Sequence, residues 1–290
     1  MKIRLTHSKC QAATALRVSS AVLVMAVLLA PPTLHAAPAA APTTVDFGVG
    51  PQQSATELAR RWVPVMHYLS EKSGLNVVFR TGKDIPTYQQ EARKGAYDVI
   101  FINPYHYTLL HKDPGYEVFA QQKDATLHGV LVVRKDGPIK DPKQLDGSEG
   151  AFPAPTAVIA AVLPLQHLKK SGIEVKPVYV NSHDSVYRAV AKGLYAVGGG
   201  EGRTFESMPA EVKGELKILW KTDPMPPFVF AVHPRVSPDV VAKLKAAMLR
   251  MDKDPSAAPL LKAINFKGIA PAVDADYDVV RRLNIQMPKS

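Results

Sequence analysis

Three short stretches of this chain bring together side chains able to hold a small polar molecule. Asn103-Pro104-Tyr105-His106-Tyr107 follows an apolar run at 97–102, where the carboxyl end of a buried strand would open on a cleft. Tyr105, His106 and Tyr107 each offer flat apolar surface with a hydrogen-bonding tip, suited to capping a small ligand. Packing of Tyr107 beneath a helix explains the same residue equally simply. Ser182-His183-Asp184-Ser185 has a helix-start signature, with Ser182 as N-cap and Ser185 placed to reach back. His183, in that first turn, either packs or faces the ligand, and as a ligand group it would hold an anion best when protonated. Gly198-Gly199-Gly200-Glu201-Gly202-Arg203-Thr204 matches no dinucleotide fingerprint and lacks the lysine of a phosphate loop. Its glycines permit close backbone approach, and Arg203 is suited to a bidentate grip on an anion or to a surface salt bridge.

Catalytic chemistry finds less support. The chain has no Gly-x-Ser-x-Gly elbow and no His-Glu-x-x-His, and its single cysteine is Cys10. The nine histidines have no compact metal spacing; the nearest approach is His106 and His111, five apart. Neither a metal nor a cofactor is expected, and the chain reads as a binder, not an enzyme.

The elements that must position these residues alternate between strand and helix. Strands are expected at 45–50, 75–79 and 97–102, with helices at 54–72 and 87–94. In the first helix Leu58, Trp62, Val65, Met66 and Leu69 recur at spacings of three and four, and Gly74 stops it. A second set follows: strands at 129–134, 148–152, 175–180, 195–197 and 216–220, with helices at 156–170 and 182–192. After a strand at 228–232 only helices are expected, at 238–251, 257–263 and 274–284. Two α/β units followed by a strand and a helical tail predict two lobes, with the chain crossing between them near 128–132 and 227–232. The expected division is residues 42–130 plus 228–290 in one lobe and 131–227 in the other.

With 290 residues, 46% hydrophobic and 21% charged, the chain can bury two cores and is not disordered. Lys2, Arg4, Lys9 and Arg17 precede an apolar stretch at 18–30, short for a bilayer span of about 20 residues, with an uncleaved N-terminal anchor as the alternative to a leader. Pro31-Pro32 ends it, and Ala36-Ala37-Pro38-Ala39-Ala40-Ala41 supplies the small residues that signal peptidase accepts. Residues 1–41 are therefore expected to be a leader cut between 36 and 41, exporting the chain to a periplasm. Removing its four basic residues lowers the net charge from +10 to +6. No run of basic residues follows Asp46, so nucleic acid is not an expected partner.

The plan resembles a type 2 periplasmic binding protein, in particular the phosphate/phosphite/phosphonate group of ABC-transporter substrate-binding proteins. The resemblance runs from about Val45 to Arg282. Its carriers are Trp62-Val63-Pro64, Gly95-Ala96-Tyr97-Asp98-Val99, Ser182-His183-Asp184-Ser185, Ala189-Val190-Ala191-Lys192-Gly193 and Trp220-Lys221-Thr222-Asp223-Pro224. It implies an α/β, two-lobed fold with two hinge crossings and C-terminal helices. It further implies a monomer that closes on a small-molecule ligand and delivers it to an ABC permease. The alternative partner is a membrane sensor protein, on which a ligand-closed form would dock. That family holds its anion with a Ser-Thr-Ser run at a helix start; the corresponding stretch here is Pro155-Thr156-Ala157-Val158-Ile159, which keeps one hydroxyl, Thr156. Two of the family's tyrosines align with Ile85 and Ile102, an acidic residue aligns with Phe228, and the histidine is kept at His183. A ligand site altered from the family's is therefore expected, drawing on Thr156, Ser182, His183 and Arg203.

Overall fold

In the computed structural model the apolar runs assemble into two mixed sheets. Residues 41–283, 285 and 287 are described, so the expected leader, save Ala41, lies outside the described residues. The chain opens with β1 (Thr44–Val49), α1 (Ala55–Ser73), β2 (Asn76–Arg80), α2 (Ile85–Arg93), β3 (Val99–Ile102), α3 (Pro104–Lys112) and β4 (Glu117–Gln122). It continues through β5 (Gly129–Arg134), β6 (Glu149–Phe152), a π-helical turn (Val158–Val162) and α4 (Leu163–Lys170). Next come β7 (Lys176–Tyr179), α5 (His183–Ala191), β8 (Val197–Glu201), α6 (Gly202–Glu206), α7 (Ala210–Gly214) and β9 (Leu216–Lys221). The last stretch holds β10 (Val229–Val232), α8 (Pro238–Met248), α9 (Ala258–Ala263), β11 (Ile269–Pro271) and α10 (Asp278–Arg281).

One sheet has the order β11-β4-β10-β3-β1-β2 and the other β7-β6-β8-β5-β9. Parallel pairing joins β1 to β2 and β3, and β6 to β7 and β8, as crossover helices require. The chain leaves the first sheet after β4 and returns at β10, so it crosses between lobes twice. The two crossings pair with each other: Leu127 N–H donates to the Met225 carbonyl at 2.9 Å, and Met225 N–H returns the bond at 3.0 Å.

Local rules account for the elements. In α1 the Ser54 hydroxyl accepts from Glu57 N–H, Gly74 ends the helix at φ 71°, and the expected stripe of Leu58, Trp62, Val65, Met66 and Leu69 is buried. That stripe joins a core of stacked aromatics in which Trp62 lies 5.1 Å and Phe230 4.8 Å from Phe101, centroid to centroid. Helices α8 and α9 pack on α1, so the C-terminal helices cover the first lobe.

Three differences from the sequence expectations matter. Helix α3 begins within the Asn103–Tyr107 stretch, because Asn103 caps it and Pro104 opens it. The tail is not purely helical, since Ile269–Pro271 adds β11 to the edge of the first sheet; three residues are too few for alternation to show. The triple glycine, expected to follow a strand at 195–197, is the body of β8.

The π-helical turn explains those glycines. Pro164 has no N–H for the Ala160 carbonyl, and Leu163 N–H turns to Val158 O, so the helix widens there. The freed carbonyls press on the sheet: a Cβ on Gly199 would lie 2.0 Å from Ala160 O, and one on Gly129 2.2 Å from Ile159 O. A Cβ on Gly200 would lie 2.0 Å from the Tyr187 hydroxyl oxygen.

Candidate ligand cleft

Between the lobes lies a cavity of about 50 Å³. Its apolar wall is Ile85, Tyr88, Ile102, Phe228 and residues 157–160; its polar wall is Gln52, Gln89, Asn103, His183 and Glu201. A cavity of about 150 Å³ accommodates benzene, so this one fits an occupant of only a few heavy atoms. The lobes interlock around it. Val158 and Ile159 of the π-turn join the first lobe's core, and Ile85 joins the second lobe's. Ile85, Ile102 and Phe228, the three positions where the resemblance expected polar family residues, all stand in this wall.

The polar wall is built around Glu201, at the carboxyl end of β8 and 1% exposed. Gln52, in the loop after β1, donates through Nε2 to Glu201 Oε2 at 2.5 Å and accepts at Oε1 from the Arg203 guanidinium. Arg203 Nε stands 3.3 Å from Glu201 Oε1, an ion-pair distance without hydrogen-bond alignment. The guanidinium carbon lies 5.4 Å from the Phe228 ring centroid and 5.7 Å from that of Phe101. Burial raises the Glu201 pKa, opposed by the Arg203 charge and the Gln52 bond. The main chain of Glu201 is fixed by Tyr187, whose hydroxyl donates to its carbonyl at 2.8 Å and accepts from its N–H at 2.9 Å.

His183 opens α5 against this cluster. Its N–H donates to the Gln52 carbonyl across the cleft at 3.0 Å, and its Nδ1 lies 3.2 Å from Thr204 Oγ1. Burial first, and the Arg203 charge second, push its pKa down to about 3. The imidazole is thus neutral at physiological pH, contrary to the protonated grip anticipated from its type. Ser182 caps α5 as expected, accepting from Ser185 N–H, but its hydroxyl also donates to Asp184 at 2.8 Å and meets Ser185 Oγ at 2.8 Å. Its bonds are therefore spent inside its own helix start. The Thr156 hydroxyl is buried without a hydrogen-bond partner at the entrance to the π-turn.

The aromatic stretch lies off the cavity wall. Tyr107 is fully buried under the C-terminal segment, donating to Asp274 at 2.7 Å and accepting from Val118 N–H. Tyr105 packs against the first lobe's core. His106 is buried in the first turn of α3 beside Asn103, and burial lowers its pKa to about 4. Asn103 itself reaches the wall, because the strand-end rule applies to the helix cap and not to the helix it starts. Gln52 and Glu201, which the sequence reading left out of the site, also sit at strand carboxyl ends; the same rule points to them. Among the described residues, no group of three or more His, Cys, Asp and Glu is placed to hold a metal ion. Nor is any described helix long and apolar enough to cross a membrane.

Comparison with known proteins agrees with this architecture. A sequence profile described as ABC transporter, phosphonate, periplasmic substrate-binding protein matches residues 47–277. The chain is 26% identical over 286 residues to the phosphate-import protein PhnD of Mycolicibacterium smegmatis, spanning 83% of this chain and 85% of that one. Its fold matches the binding protein component of an ABC phosphonate transporter from Pseudomonas aeruginosa with a TM-score of 0.75, at 17% identity, over 83% of this chain and 85% of that one. PhnD1 from Prochlorococcus marinus, solved in complex with methylphosphonate, matches with a TM-score of 0.74 at 18% identity, over 83% of this chain and 96% of that one. The chain belongs to the phosphonate family of periplasmic ABC-transporter substrate-binding proteins, and its work is to capture a small solute and hand it to a membrane permease.

Proposed function

We propose that this protein captures a small tetrahedral oxyanion, phosphate- or phosphonate-like, in the cleft between its sheets. The observation that carries this reading is the Arg203 guanidinium, half-buried over Phe101 and Phe228 just behind the cavity wall and bonded to Gln52 of that wall. Although paired with Glu201, the guanidinium keeps donors free to reach an anion's oxygens, and the cavity suits a ligand of a few heavy atoms. Relatives that import phosphate or bind methylphosphonate support the same class. Arg203, Thr156 and His183 are the proposed ligand contacts, with His183 acting as a neutral hydrogen-bonding group. Ser182 contributes through its cap, and Tyr105, His106 and Tyr107 serve the first lobe's packing.

In this reading the exported chain loses its leader between residues 36 and 41 and acts as a monomer that binds and releases without catalysis. Its lobes are residues 42–130 with 228–290, and 131–227. The partner is an ABC permease; no feature of the cleft favours the sensor alternative. Isothermal titration with inorganic phosphate, phosphite and methylphosphonate tests the reading. At least one should bind with a dissociation constant below about 1 mM. Absence of binding by all three refutes it.

A further inference from the structure

We propose that Arg61, a residue outside the cavity wall, is the latch that holds the two lobes together and so sets how long a captured solute stays. It is a positioning residue, since it touches both lobes and not the ligand. The inference rests on the oxyanion reading above for its probes, and it adds a determinant of release that the cavity itself does not contain.

Arg61 stands on α1 of the first lobe with its side chain 13% exposed. Its Nε pairs with Glu57 Oε1, one turn earlier in the helix, at 2.5 Å. One arm of the guanidinium donates to the Ala263 carbonyl, at the end of α9, at 3.3 Å. The other arm reaches the second lobe and donates to the Ser207 carbonyl, at the end of α6, also at 3.3 Å. Carbonyls at a helix end have no intrahelical donor, so both are open to a cation. Glu57 and Ala263 belong to the first lobe and stay with Arg61 when the lobes part. The planar fork is therefore aimed before closure, and little side-chain freedom is lost when Ser207 arrives.

The far end of the latch leads back to the ligand. Ser207 donates to the Arg203 carbonyl twice, through its N–H at 3.1 Å and its hydroxyl at 2.9 Å. The residue that Arg61 holds is thus fixed to the one proposed to grip the oxyanion. Gln52 also ties the lobes, through Glu201, Arg203 and the His183 N–H, but it lines the cavity and meets competition from whatever enters. Neither Arg61 nor Ser207 lines the cavity, so a ligand does not displace their bond. A bond made only with the lobes together slows their parting and leaves entry into the open form untouched.

The test measures dissociation of phosphate, phosphite and methylphosphonate by phosphorus-31 exchange NMR, and their affinity by isothermal titration, on wild type and Arg61→Gln. Dissociation should quicken by about three- to tenfold in the variant, with affinity falling by the same factor and the association rate unchanged. Urea unfolding separates the latch from a merely structural part. Lower stability with an unchanged dissociation rate shows that Arg61 only packs α1, which overturns the inference and leaves the oxyanion reading standing. If Arg61→Gln does not fold, Arg61→Lys carries the test, because it keeps the charge beside Glu57 and loses the fork. It should also release faster than wild type, and an equal rate overturns the inference. If wild type binds none of the three anions, the oxyanion reading fails and small-angle scattering of the ligand-free protein decides the latch. Arg61→Gln should then be more extended than wild type, and identical curves overturn the inference.

Discussion

Acidification should destabilise this protein through two histidines that it buries in the neutral form. His183 and His106 have pKa values pushed down to about 3 and about 4 by burial, against 6.5 for a free imidazole. Because the folded values are lower, the unfolded chain binds more protons on acidification. The stability contribution is complete above the unfolded value and is lost as pH falls from there towards the folded one. At pH 5 the unfolded imidazole is about 1.5 pH units below its pKa while the folded one is still mostly neutral, so each histidine costs about 2 kcal/mol. That figure hardly depends on the folded value, provided it stays below pH 5. Urea unfolding at pH 7 and pH 5 reads it directly. Wild type should lose about 4 kcal/mol through the pair, beyond what its carboxylates contribute. His183→Gln and His106→Gln should each lose about 2 kcal/mol less between the two pH values, whatever their stability at pH 7. Loss by wild type and both variants in parallel would refute the claim that these imidazoles are buried uncharged.

Other consequences follow from single contacts. Arg203→Ala should weaken binding of phosphate or methylphosphonate by about ten- to a hundredfold in calorimetry, and unchanged affinity would remove the anion from this cleft. Gly199→Ala forces a methyl onto the Ala160 carbonyl and should cost about 1–3 kcal/mol in thermal unfolding, or prevent folding; an unshifted midpoint would contradict the contact. Tyr107→Phe loses the bond to Asp274, so stability should drop by about 1 kcal/mol with ligand affinity unaltered; weakened binding would return Tyr107 to the site. Sequencing of exported protein should find the new N-terminus within residues 37–42, and a chain still beginning at Met1 would exclude cleavage.

Periodic elements were readable in the sequence because burial and spacing agree there. The α1 stripe, the β3 run and the Ser182 cap of α5 all lie where spacing and capping rules put them. Strand β8 was displaced because glycine is depleted in strands. Here tertiary contact overrides propensity, since the π-turn carbonyls and the Tyr187 hydroxyl leave no space for a side chain. Strand β4 was missed because only Val118, Phe119 and Ala120 of its six residues are apolar. The altered positions Ile85, Ile102 and Phe228 were found by resemblance, whereas Glu201 was not. A glutamate in a glycine run looks solvated until Gln52, 149 residues away, is folded against it.

The paired crossings have a mechanical consequence. Two separate linkers would let the lobes splay, slide or twist independently. Leu127 and Met225, bonded to each other in both directions, tie the two crossings together at one bridge, which opposes splaying more than rotation about the crossings. Any opening and closing would then be confined to nearly one coordinate, and a ligand a few atoms across would set the relative orientation of two whole lobes. A membrane partner that grips both lobes would sense that angle without touching the ligand.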